Sequence, residues 1–256
     1  MSDCSLLSPV TFHLPAEIYA AAVLLGAYFI RGIAGFGSGL VAVPLLALRF
    51  PLQQVVPLML LLDLVASAWL GRVHRQDVRW DEIRPLLPAS VIGVILGTTL
   101  LVGLPERPVL AALGLFVLIF GLRYALNIHG ERPISRLWAH PAALTGATVS
   151  GLFGTGGPPY VIYLTHRIRD KGELRATLSV LFMLEGLFRG VIFALAGLLA
   201  DRAVWSGVAL GLPILFLGLW LGSHVHLRLS QTQMVRAVGL ILLGAGVSLL
   251  IKAQGG

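Results

Sequence analysis

From residue 15 to residue 251 the chain alternates long apolar runs with short polar connections. Nowhere does it show the every-other-residue alternation of a half-buried strand. A first apolar run extends from Pro15 to Arg31, with proline at a position that a helix start tolerates. The glycine-rich stretch GIAGFGSG, Gly32 to Gly39, interrupts it, and a short apolar stretch follows from Leu40 to Leu48. Runs near residues 53–71, 85–103 and 107–126 approach the roughly 20 residues that a helix needs to cross a ~30 Å hydrocarbon core. A second set starts near Ala139, breaks at GLFGTGGP (Gly151 to Pro158) and resumes briefly to Thr165. It continues near 174–199, 203–222 and 233–251. The pattern predicts an all-α, polytopic membrane helix bundle of about ten helical segments, forming a single membrane domain over 1–256.

Composition removes the alternatives. Hydrophobic residues make up 57% of the chain and charged residues 12%, about half the charge of an ordinary soluble domain. A soluble globule would lack the polar side chains to cover its surface, and disorder needs the opposite composition. The net charge of +7 would point to nucleic acid in a soluble protein. Here it belongs to loop arginines, so lipid is the expected partner and nucleic acid is not. The lone cysteine, Cys4, excludes an internal disulfide or a cysteine metal site. No Lys or Arg occurs among the first 30 residues, so a cleavable leader is not expected and the first run should stay as a membrane helix.

The loops assign the sides. Arg72 to Arg84 holds four arginines, Arg167 to Arg175 holds three arginines and a lysine, and Arg132, Arg136 and the surroundings of Arg228 are also basic. The alternate connections carry only Arg49, Arg107 and Arg202, with Lys252 near the C-terminus. Placing the basic loops in the cytoplasm puts both termini outside. The sides are the same whether each short glycine-flanked segment crosses the bilayer or re-enters it.

The two halves align. An offset of 125 carries Leu87-Pro88 onto Leu212-Pro213, Gly93 onto Gly218, Gly97 onto Gly222, Gly114 onto Gly239 and Gly121 onto Gly246. An offset of 119 carries Gly32, Gly35 and Gly37 onto Gly151, Gly154 and Gly156, and one of 122 sets Asp63 opposite Glu185. Five helical segments per half, an odd number, predict inverted repeats over 15–126 and 139–251. Matched glycine-interrupted segments in the two halves are then the sequence pointer to a transporter's binding site.

Unwound backbone inside a membrane must be buried in protein or line a wet cavity. Glycine lets it approach a small ligand closely, and a helix starting after the break aims its amides and positive dipole end at an anion. The residues expected around such an anion are Gly32, Gly35, Phe36, Gly37, Ser38 and Gly39 in the first stretch, with Gly151, Phe153, Gly154, Thr155, Gly156, Gly157 and Pro158 in the second. Ser38 and Thr155 add hydroxyl donors. The scattered glycines Gly93, Gly97, Gly218 and Gly222 read instead as close helix packing.

These paired motifs resemble those of the TauE/SafE sulfite exporter family, and the resemblance covers about Ala20 to Leu250. It implies a cell-membrane exporter of a small, usually sulfur-containing anion such as sulfite, a sulfonate or a related organic acid.

Four ionisable residues interrupt the apolar runs: Arg31, Asp63, Glu185 and Arg189. Each costs roughly 2.5–3.5 kcal/mol at mid-helix. Glu185 and Arg189 share a helix face at i,i+4, while Asp63 and Arg31 lie on different helices and can pair across the bundle. One reading makes both pairs purely structural. The other has Arg31 or Arg189 hold the anion while Asp63 or Glu185 takes up a proton. His224 and His226 point to opposite sides of a helix, so no metal is expected there, and no catalytic constellation, cofactor motif or nucleotide-binding motif is visible. A non-enzymatic secondary transporter working by alternating access is the leading expectation. An anion channel or a non-transporting accessory protein remain as alternatives, and self-association is left open.

Overall fold

The computed structural model describes residues 15–35, 37–71, 77–126, 134–224 and 231–255. Phe36, the loop arginines Arg72, Arg75, Arg132 and Arg228, and Cys4 and His226 lie outside the described residues. Among the described residues there are α-helices and no strand. The first half contains α1 (Ala16–Ala34), α2 (Ser38–Leu46), α3 (Leu52–Gly71), the single-turn α4 (Trp80–Ile83), α5 (Leu87–Gly103) and α6 (Glu106–Ala125). The second contains α7 (Ala139–Phe153), α8 (Gly157–Arg167), α9 (Lys171–Leu195), α10 (Arg202–His224) and α11 (Gln231–Gly255). Leaving aside α4 and a 3-10 turn at Arg136–Trp138, both in basic connections, this is the expected set of ten segments. Helices α1, α3, α6, α9, α10 and α11 are long and apolar enough to cross a membrane, and α5 is slightly shorter at 17 residues.

The outer surface is that of a body immersed in lipid. Ile92, Ile119, Leu187, Val191, Leu210, Leu240 and Ile251 all project outward from helix interiors, which water would penalise and a bilayer does not. The tryptophans Trp69, Trp80, Trp138, Trp205 and Trp220 sit at or within about a turn of a helix end, where an amphipathic ring meets the headgroup level. This is a multi-pass membrane protein.

Helix packing is reciprocal between the halves. Helix α1 packs along α10 and α7 along α5; α3 packs on α9, and α6 on α11. The glycine contacts repeat in register. A Cβ on Gly93 would meet Leu144 O, Ala147 and Thr148 N, and one on Gly218 would meet Leu25 O, Tyr28 and Phe29 N. Each trio is the other displaced by 119. Likewise Gly32 lies against Leu219 O and Gly222, and Gly151 against Val94 O and Gly97, while Gly114 faces Gly246 and Gly239 faces Gly121. At these crossings the backbones touch, which only glycine permits.

The two short segments turn back instead of crossing. Tyr19 Oη, near the start of α1, donates to Leu45 O at the end of α2 at 2.7 Å. Lys252 Nζ, near the end of α11, reaches Ala47 O at 2.9 Å. In the second half Arg167, closing α8, donates to Ile134 O just before α7 at 3.2 Å. Hairpins α1–α2 and α7–α8 therefore begin and end on the same face, and the two faces are opposite. The bare connections share one of them, where Gln54 bonds Asp201 at 3.0 Å.

The basic connections gather on the other face around Glu82. Its carboxylate, 2% exposed, receives Arg167 at 2.8 Å, Arg136 at 3.3 Å and Tyr163 Oη at 3.0 Å. Beside it Arg79 bridges Asp81 at 3.0 Å and Glu173 at 3.2 Å. Burial pushes the Glu82 carboxyl up, but the bonds from Arg167 and Tyr163, with the charges of Arg167 and Arg136, outweigh it and hold the group below its ordinary 4.5. A carboxylate whose folded pKa is depressed stabilises the fold above its unfolded pKa, and that contribution is lost as pH falls through the folded value. Glu82→Gln is expected to destabilise the protein by about 2 kcal/mol at neutral pH. It should also flatten the loss of melting temperature seen below about pH 4.5. Tryptophan-fluorescence melts of both proteins across that range test this, and equal pH profiles would remove the assignment.

Candidate functional site

The two breaks are shorter than their glycine content suggests. Gly32 and Gly151 remain helical because a neighbouring helix backbone packs on each. Helix α1 ends at Gly35, in the left-handed region at φ 85°, with its N–H bonded to Arg31 O. Helix α2 starts after Gly37 at φ 96°. Helix α7 ends at left-handed Gly154, φ 68°, with its N–H bonded to Ser150 O, and α8 starts after Gly156. A side chain would strain each of these left-handed positions.

The two breaks meet inside the bundle. A Cβ on Gly39 would lie 2.7 Å from Gly154 O and 3.6 Å from Asp63 Oδ2. Between them is a cavity in which the space open to the centre of a water-sized sphere is about 60 Å³, enough for roughly four to six waters or one small polyatomic ion. Its walls include Gly37, Ser38 and Gly39 from the first break, and Gly154, Thr155, Gly156, Gly157 and Pro158 from the second. Arg31, Asp63, Glu185 and Arg189 complete it. All four membrane-embedded ionisable residues thus converge on one space.

Four predicted residues stand elsewhere. Gly32 and Gly151 serve helix crossings; Gly35 abuts the Arg175 side chain, whose Nε would be 2.8 Å from a Cβ there. Phe153 packs against Phe116 in a tilted ring pair, centroids 6.0 Å apart. None of them lines the cavity.

The first half of the site is a hydrogen-bonded network in which Arg31 Nε alone of that guanidinium's nitrogens has no partner among the described residues. Arg31 Nη1 donates to Asp63 Oδ1 at 2.5 Å and to Ser38 Oγ at 3.0 Å. Its Nη2 donates to Ser67 Oγ at 2.6 Å and to Asp63 O at 3.3 Å. Ser38 Oγ and Tyr28 Oη both donate to the same Asp63 oxygen, at 2.8 and 2.9 Å. This joins α1, α2 and α3 across the break, and it spends the Ser38 hydroxyl that was expected to face an anion.

The second half is open. Arg189 Nη1 bonds Ser150 O at 2.8 Å and Ser150 Oγ. Arg189 Nε, Glu185 Oε1 and Thr155 Oγ1 are buried with no hydrogen-bond partner among the described residues. The expected Glu185–Arg189 ion pair does not form, and both residues line the cavity. Burying unpaired polar atoms is costly unless a ligand or water satisfies them.

Ser67, Ser150 and Tyr28 were absent from the sequence expectation. The repeat offsets point to two of them: Arg31 plus 119 is position 150, and Arg189 minus 122 is position 67. Arginine and serine have exchanged places between the halves. The helix starts differ too. Helix α2 has no side-chain cap and presents the amides of Ser38, Gly39 and Leu40. In α8, Pro158 and Pro159 carry no N–H, so Gly157 and Tyr160 are the first-turn donors.

A multi-pass bundle with broken helices around one donor-rich cavity is the architecture of a membrane transporter. The family model for the sulfite exporter TauE/SafE matches residues 19–249, and the chain belongs to that family. It is 31% identical over 196 residues, covering 75% of this chain and 81% of the relative, to the probable inner membrane transporter protein TsaS of Comamonas testosteroni. It is 26% identical to the probable sulfite/organosulfonate exporter TauE of Cupriavidus necator, covering 89% and 91% of the two chains. A probable membrane transporter protein, ORF9, of a Sinorhizobium species is 26% identical over 96% of this chain and 94% of its own. No solved structure matches the chain.

Proposed function

We propose that this protein exports sulfite or a related organosulfur anion across the cell membrane, binding it in the cavity where the two breaks meet. The observation that carries this reading is the set of unsatisfied donors there, Arg189 Nε and Thr155 Oγ1 beside two uncapped helix starts. Such donors suit a compact oxyanion. The substrate class and the outward direction follow the relatives' names, TauE of Cupriavidus necator above all.

The matched contacts fit an inverted-repeat relation, and that relation supports alternating access at the interface of the repeats. Two repeats related by an axis in the membrane plane make α1 on α10 equivalent to α7 on α5, and they turn the hairpins to opposite faces. No nucleotide-binding motif occurs, so an ion gradient or the anion's own gradient supplies the drive. The test is flux in liposomes holding the purified protein, with sulfite, thiosulfate, sulfate, sulfonates and carboxylates. Saturable counterflow selective for sulfite and sulfonates is expected. Currents without counterflow would make it a channel, and no flux with any of them would overturn the proposal.

A further inference from the structure

We propose, on the footing of the transport reading above, that Arg189 and not Arg31 receives the anion, and that it does so together with a proton on Glu185. The Nη groups of Arg31 are committed to Asp63, Ser38 and Ser67 and its charge is balanced by Asp63 at 2.5 Å, so that only its Nε lacks a partner. Arg189 bonds only through Nη1, to Ser150, which leaves Nη2 and a buried Nε for a ligand in the same cavity. Thr155 Oγ1, buried and unpartnered, adds a donor beside it.

The exchange of arginine and serine between the halves explains the difference. In the first half the acid and the base face each other from α3 and α1 and lock. In the second they share α9 one turn apart, reach the cavity side by side and form no bridge, although each is at least 96% buried. Glu185 Oε1 accepts nothing from any described residue, and the one neutral donor near its carboxyl is the Ser150 hydroxyl that Arg189 also holds. The other titratable groups facing it are Arg189 on its own helix, Arg31 and Tyr28 on α1, Asp63 on α3, Tyr124 on α6 and Tyr160 on α8.

An anion on Arg189 beside an ionised Glu185 places two negative charges in one small, largely buried cavity, weakening binding on the order of 100-fold. Protonation removes the repulsion and gives Glu185 an O–H to donate. The proton enters from water on the side to which the cavity is open and leaves with the anion. No bond to the anion is made or broken. For a monoanion, the loaded site carries no added net charge.

Calorimetric titration of the purified protein with ethanesulfonate tests this, because that probe stays a monoanion from about pH 5 to pH 8. The wild type is expected to lose about tenfold in affinity per pH unit on the alkaline arm. Titration in buffers of different ionisation enthalpy should there show about one proton taken up per anion. Glu185→Gln, neutral and of equal size, should bind with a flat pH profile and no proton uptake, while Asp63→Asn keeps the slope whatever its affinity. Arg189→Gln should bind on the order of 100-fold more weakly. A Glu185→Gln protein that keeps the slope and the proton uptake overturns this inference and leaves the transport reading standing. A wild type that binds neither ethanesulfonate nor sulfite at any pH overturns both.

Discussion

Gly39→Val is expected to abolish transport, leaving no more than about one hundredth of the wild-type flux in liposomes. Gly39 opens α2 where the two breaks touch, and the first atom of any side chain there would sit 2.7 Å from Gly154 O. That oxygen belongs to the backbone at the end of α7 and cannot rotate away. Accommodation would have to part the two breaks and reshape the cavity they enclose. Two glycine controls separate this effect from a general intolerance. Gly37 has a left-handed φ of 96° but open space beside it, so Gly37→Ala should cost about 1–2 kcal/mol of stability from strain, and any loss of flux beyond that reports on the cavity it lines. Gly26 lies within α1 with nothing near its missing Cβ, so Gly26→Ala should be neutral or slightly stabilising. Flux through Gly39→Val at the wild-type rate would mean that the substrate does not pass between the breaks.

Asp63→Ala should be the most damaging single substitution for stability, by about 3–5 kcal/mol. It strips Arg31, 5% exposed, of its counter-charge, and it removes the oxygen on which Arg31, Ser38 and Tyr28 all converge. The uncompensated buried guanidinium dominates the loss. The paired substitution Arg31→Met with Asp63→Leu should therefore recover most of it, because replacing both partners of a buried pair by apolar groups is often neutral. Unfolding in detergent, followed by tryptophan fluorescence, measures both. If Asp63→Ala melts like the wild type, the network does not hold α1, α2 and α3 together. Glu185→Gln, by contrast, breaks no bridge, and its effect is expected in pH dependence and not in melting.

These two outcomes mark where the sequence was informative and where it was silent. Segment positions were legible to within a few residues, since a lipid-facing helix such as α6 or α10 must be apolar all round and its ends are set by charge or proline. The grouping of the connections was legible from arginine counts, and the structure joins Arg79, Arg136 and Arg167 on one face through Asp81 and Glu82. The convergence of Arg31, Asp63, Glu185 and Arg189 was foreseeable because isolated charges in apolar helices have nowhere else to go. The extent of the breaks was not. Gly32 and Gly35, three residues apart in one motif, have unrelated environments: the first packs against the backbone of α10, the second ends a helix beside Arg175.

What the amino-acid order determined by itself was the list of helices, the face each connection shares and the offsets that relate the halves. The first two follow from local composition, because the bilayer acts on each segment separately. Only the tertiary structure decided which arginine is neutralised and which keeps free donors, and that the short helices return to the face they came from. Coulomb attraction and hydrogen bonds act over a few ångströms. The partner of a buried charge is therefore fixed by which helices the packing brings within that distance: Arg31 found the Asp63 carboxylate across α1 and α3, and Arg189 found the Ser150 hydroxyl and carbonyl but no carboxylate bridge.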